Sequence, residues 1–102
     1  MRASVSRSGT TGVTDPIVLD EGGHSEVALQ VEVTGTVTYT VQQTVDNVFT
    51  DASPTWFDHP DTNLQAQTVS RQGNYAQAPF AVRVNMTAGT GTVRLTVQQN
   101  RG

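Results

Sequence analysis

The chain has 102 residues, a net charge of −3, 35% hydrophobic and 15% charged residues, and no cysteine. That length suits one domain, and low charge beside low hydrophobicity excludes the composition of a disordered chain. The lack of cysteine excludes disulfides and thiolate metal sites, and no apolar run approaches a membrane span or a signal-peptide core.

Charge is segregated along the chain. All nine acids lie between Asp15 and Asp61, and the six cations are all arginine: Arg2, Arg7, Arg71, Arg83, Arg94 and Arg101. An acidic chain without basic clusters lacks the footprint that phosphate neutralisation requires, so nucleic acid is not an expected partner. Neither is a membrane.

Residues 1–14 (MRASVSRSGTTGVT) read as a short flexible N-terminal arm with a short edge strand near Val5. Residues 15–102 read as the single folded domain. Asp15-Pro16 marks a turn, Ile17 to Leu19 a buried strand, and residues 20–24 a loop. From Ser25 to Thr34, Val27, Leu29, Val31 and Val33 alternate with Glu26, Ala28, Gln30 and Glu32, the period of a half-buried strand. Thr36 to Thr44 alternates likewise, with Val37, Tyr39 and Val41 inward. Placing Val33 opposite Val37 predicts a hairpin whose three-residue loop uses Gly35 at positive φ.

Val45 to Phe49 continues or follows that strand, and 50–63 reads as a long polar loop. Residues 64–70 alternate weakly. Residues 71–79 read as irregular, with Gly73-Asn74 as a turn and Tyr75 as an anchor. Phe80 to Thr87 alternates with Phe80, Val82, Val84 and Met86 inward. A turn at 88–91 leads to Thr92–Gln98, where Val93, Leu95 and Val97 point inward.

The two hairpins resemble each other: TGTVTYTVQQ (34–43) recurs as TGTVRLTVQQ (90–99). They are expected to hold equivalent places, one in each sheet, whether by common composition or by repetition. Short alternating strands without helical periodicity predict an all-β fold: an antiparallel β-sandwich, jelly-roll-like.

Catalysis is not expected. There are two histidines, His24 and His59, and no nucleophile-elbow motif, so no catalytic or cofactor-binding residue is assigned. Asp51, Asp58, His59 and Asp61 lie close together on one loop, and their hard oxygen ligands would suit Ca²⁺ or Mg²⁺ better than zinc, but the spacing matches no EF-hand or zinc pattern and they read as solvated turn residues. Trp56 and Phe57, between Pro54 and Pro60, fit three roles: a plug for an open end, an exposed interface anchor, or a sugar-stacking platform. The acids Glu26 and Glu32 and the cations Arg83 and Arg94 either pair within one sheet or meet across a subunit boundary. A neutral Thr/Gln surface without lysine leaves edges unprotected, which burial in an assembly, a bulge or a covering loop would explain.

Val37 to Gln42, Trp56 to His59 and Arg83 to Gln98 carry a further signal. The runs TVTYTVQQTVDNVFTDASPTWFDHP and NYAQAPFAVRVNMTAGTGTVRLTVQQ resemble small β-rich virion proteins of tailed bacteriophages, over about two-thirds of the chain. The resemblance implies a virion structural protein assembled in the host cytoplasm, foremost a head decoration (cement) protein. Its partners would be the major capsid protein or other virion proteins, and it would act as a homo-oligomer, a dimer or trimer. A minor head–tail or tail component, or a β-sandwich module binding a host-surface glycan, is the alternative. The interface candidates are Trp56, Phe57, His59, Glu26, Glu32, Arg83 and Arg94.

Overall fold

Alternating β-branched and polar residues form strands because each second side chain can be buried while the backbone pairs on both sides. The computed structural model describes residues 2–19, 23–75 and 78–101, apart from the side chains at 23–25, 100 and 101. Within them lie β1 (Arg2–Ser8), β2 (Gly12–Val13), β3 (Ile17–Val18), β4 (Gly23–Thr34) and β5 (Val37–Thr44). They are followed by β6 (Phe57–Asp58), a 3₁₀ turn (Thr62–Leu64), β7 (Arg71–Tyr75), β8 (Ala81–Gly89) and β9 (Thr92–Arg101). The fold is all-β. One sheet has the order β1-β9-β4-β7; the other has β2-β8-β5-β6, with β3 also on β8. The pairings are antiparallel.

The two sheets share one core. Val27, Leu29, Val31, Val93, Leu95 and Val97 from the first sheet meet Val37, Tyr39, Val41, Val82, Val84 and Met86 from the second. Ile17, Leu19, Leu64 and Tyr75 complete it. Tyr39 is fully buried and Tyr75 nearly so, which fits their reading as core and anchor.

The expected hairpins are not hairpins. β4 pairs with β7 and β9, and β5 with β6 and β8, so β4 and β5 lie in opposite sheets. The same holds for β8 and β9. Each connection is an arch crossing the core, and the alternation of Val and Thr cannot distinguish the two arrangements. A hairpin puts both apolar sides on one sheet face; an arch makes them face each other. The repeated sequences therefore hold equivalent places, but each repeat spans both sheets. The arches interlock where Thr90 and Gly91 donate their N–H groups to the Thr36 carbonyl at 3.1 and 2.9 Å. Gly89, at φ +99°, lies so close to that carbonyl that a Cβ would collide with it, so only glycine suits this crossing.

Pairing is also nested: β1 with β9, β2 and β3 with β8, β4 with β7, β5 with β6. A long two-stranded ribbon, folded over, brings β4 to β9 and β5 to β8.

The N-terminal segment is part of this body and not an arm. Arg2 to Ser8 pair residue by residue with Gln98 to Thr92, and half-buried Ala3 and Val5 pack on the core. An edge strand with one face to solvent needs few apolar residues, so Ser-rich composition conceals it. Arg7 then fixes the corner between the sheets, donating to the carbonyls of Thr10 (3.1 Å) and Thr11 (2.6 Å).

Residues 57–69 run along the free side of β5. His59 N–H donates to Val41 O at 2.8 Å, and Tyr39 and Gln67 exchange backbone bonds of 2.9 Å. Between these contacts the chain detours to bury Leu64 completely, directly beneath Gly73, where a Cβ would strike Leu64 Cδ1. The stretch expected to be irregular from 71 contains β7, short but fully paired with β4. Phe80, immediately before β8, is half-buried and not a core residue. The expected loop at 20–24 lies outside the described residues over 20–22, while 23 and 24 already belong to β4.

Candidate interaction surface

The segment after β5 is held by its own polar groups. Asn47 accepts from Phe49 N at its side chain (2.9 Å) and from Asp51 N at its carbonyl (2.9 Å). Asp46 accepts from Thr55 N at 2.7 Å, and Asp51 from Ser53 N at 2.9 Å. Asx turns of this kind replace regular pairing and fix the loop's path. They also fix what it displays. Val45, Phe49 and Phe57 are 81%, 76% and 65% exposed, and Phe49 meets Phe80 edge-to-face at 6.1 Å between centroids. Asp46, Asp51 and Asp58 lie on the same segment, so its exposed apolar residues are interspersed with acids along the sequence.

Trp56 plugs no open end. It lies half-buried over Arg83, whose Cζ is 4.1 Å from the ring centroid, a cation–π contact. Arg83 Nε donates to Gln42 Oε1 at 2.9 Å, and Gln42 Nε2 to Asp58 Oδ1 at 3.0 Å. Burial beneath this layer lowers the Arg83 pKa from its usual value. Trp56, Arg83, Gln42 and Asp58 thus form one connected layer on the β5–β8 sheet.

His59 is a structural residue and not a contact surface. It is buried, its Nδ1 accepts from Asp61 N at 3.0 Å, and its Nε2 lies 2.9 Å from Asn74 O. Because Nδ1 accepts, the proton sits on Nε2 and is donated to that carbonyl. The ring lies 4.4 Å from that of Tyr75, with the two planes inclined by 43°, and the Tyr75 hydroxyl donates to Gln43 Oε1 at 2.7 Å. Burial pushes the Tyr75 phenol well up. The histidine and carboxylates considered as hard ligands do not converge: no group of three or more His, Cys, Asp or Glu comes together among the described residues.

Glu26, Glu32 and Arg94 are exposed on the outer face of the other sheet. Register sets Glu32 directly opposite Arg94, so these two neighbour each other within one chain, as cross-strand pairing allows. Arg94 donates to Ser4 Oγ at 3.3 Å and Glu32 accepts from Gln30 Nε2 at 3.1 Å. Arg83 lies on the opposite sheet, so the four residues do not share one surface. The Thr/Gln surface is also less continuous than its residue types suggest, since Thr40, Thr96 and Gln99 are buried. Phe49 and Val45 were missed as candidates. Their exposure follows from the Asn47 turn, which no periodicity signals.

No protein-family model, curated protein or solved structure matches the chain.

Proposed function

We propose that this chain is a non-catalytic virion structural protein of a tailed bacteriophage, a decoration protein that bridges capsid subunits. The observation that carries the reading is the exposure of Val45 and Phe49 on a loop braced by Asx turns, and of Phe57 on the short strand β6 that follows it. Large apolar side chains on a rigid scaffold are what an interface core requires. The flanking acids orient a basic partner more than they add affinity. Laid across a subunit joint, such a surface stabilises the closed shell by mass action, because it binds that state and not the opened one.

The fold reading that accompanies it is a jelly roll. With β2 and β3 taken as one interrupted strand, nested pairing and the two sheet orders support the two-Greek-key winding of that class, which occurs in viral capsid and lectin domains. The lectin-like alternative gains less support from Trp56, since Arg83 already covers the ring.

Native mass spectrometry of the protein with emptied capsids of the encoding phage tests the proposal. Binding in fixed ratio is expected, with loss of binding in a folded Phe49→Ser/Phe57→Ser variant. Wild-type protein that stays free of capsids would overturn it.

A further inference from the structure

Each sheet has two edges, and an open edge is a template for another strand. Three of the four edges are guarded. β6 has two residues and lies between Pro54 and Pro60. β2 and β3 are separated by Asp15-Pro16, whose proline has no N–H to offer. β7 has its outward Asn74 carbonyl taken by His59. The fourth edge, β1, is different. It runs seven residues in unbroken register with β9, and RASVSRS contains no proline, lysine or bulge.

The direction of its free groups can be fixed. Gly9 N–H donates to Gly91 O at 3.1 Å, one step beyond the Ser8–Thr92 pair. In an antiparallel ladder hydrogen-bonded pairs recur every second residue. Ala3, Val5 and Arg7 therefore turn their backbone groups to β9, and Arg2, Ser4, Ser6 and Ser8 turn theirs outward.

We propose that this edge is a dimer seam, in which β1 pairs antiparallel with β1 of a second copy about a two-fold axis at Val5. The proposal rests on the reading of this chain as an assembling protein and names the surface by which two copies join. Outward-facing residues must oppose outward-facing residues. Setting Ser4 against Ser6 of the second copy, and Arg2 against its Ser8, uses them all. A shift by two residues in either direction leaves outward groups unmatched. In this register Arg7 falls opposite Ala3, so no two arginines oppose, and the Arg7 guanidinium is already held by Thr10 and Thr11. Val5 meets Val5 as a non-hydrogen-bonded pair, where Cα atoms lie about 4.5 Å apart. Ala3 and Val5, half-buried in one chain, are then covered by their counterparts. The contact is isologous and closes on itself.

Sedimentation across a concentration series should show a dimer that dissociates on dilution. Ser4→Pro/Ser6→Pro removes outward N–H groups but spares the ladder to β9, so it should give a folded monomer with an unchanged near-UV spectrum. Because the chain has no cysteine, Val5→Cys places one thiol at the axis. It should crosslink at least about tenfold faster than Ser4→Cys or Ser6→Cys, whose thiols are not opposed to themselves. A monomeric wild type, a dimer that survives both prolines, or equal crosslinking of the three variants would overturn the seam. Capsid binding is read separately: monomers that load onto capsids would sink the seam alone, and dimers that ignore capsids would sink the decoration reading alone.

Discussion

The imidazole of His59 donates from Nε2 to the main-chain carbonyl of Asn74 at 2.9 Å while Nδ1 accepts from Asp61 N–H. One ring thereby satisfies an outward carbonyl of edge strand β7 and a loop amide, and anchors the segment that buries Leu64. His59→Ala leaves both groups unpaired and opens a cavity beside Tyr75. The expected loss is about 2–4 kcal/mol. Urea unfolding followed by Trp56 fluorescence measures it, and an unchanged midpoint would refute the role.

Trp56 and Arg83 make a second local test. Their contact is partly shielded from water, so a double-mutant cycle with Trp56→Ala and Arg83→Ala should return a coupling of about 0.5–1 kcal/mol. Trp56→Phe should retain most of it, because a smaller aromatic face still attracts the cation. Additive single effects would show that Trp56 acts by covering area alone.

The outcome for these residues shows what sequence reveals here. Strands β4, β5, β8 and β9 were legible because Val27 to Val33 and Val93 to Val97 alternate strictly, and burial follows that alternation except at Thr96, which is buried as well. Their partners were not legible. Period two reports which side is inward, whereas the choice between hairpin and arch depends on where the opposite sheet lies. β1 was concealed by serines that suffice for a strand at an edge. His59 reads from sequence as a solvated turn residue and interface candidate because its burial depends on Asn74 and Tyr75, distant in sequence. The charge split survived in altered form: Glu32 and Arg94 are cross-strand neighbours in one sheet, and Arg83 belongs to the other.

Two threonines predict opposite responses to the same change. Thr96 is buried and its Oγ1 has no hydrogen-bond partner among the described residues, whereas Thr40 Oγ1 accepts from Ala66 N at 2.9 Å. Valine has nearly the shape of threonine and the same preference for strands. Thr96→Val should therefore raise stability by about 1 kcal/mol, or about 4–8 °C in Tm for a domain of this size. Thr40→Val leaves the Ala66 N–H unpaired and should lower stability by about 1–3 kcal/mol. Thermal melts of the two variants side by side decide the matter, and two shifts of the same sign would contradict the assignment.

Alkaline pH probes the core itself. Burial pushes the Tyr39 phenol up to about 12, against a smaller opposing pull from Arg71, and burial drives Tyr75 higher still. In the unfolded chain both ionise near the ordinary value of about 10. Below that pH both states hold the protons, and the stabilisation of the neutral phenols is fully present. As pH rises past about 10 the unfolded state releases protons that the native state retains, so stability falls, and goes on falling through the native pKa. Tyr39→Phe removes one titrating group along with its hydrogen bond to Val69 O. It should start from a lower urea midpoint near neutral pH yet lose less between about pH 10 and pH 12. Since Tyr39 and Tyr75 are the only tyrosines, tyrosinate absorbance reports on them alone and should rise together with unfolding. Ionisation near pH 10 in a chain that stays folded would show that water reaches the phenols and that the core is less closed than its packing implies.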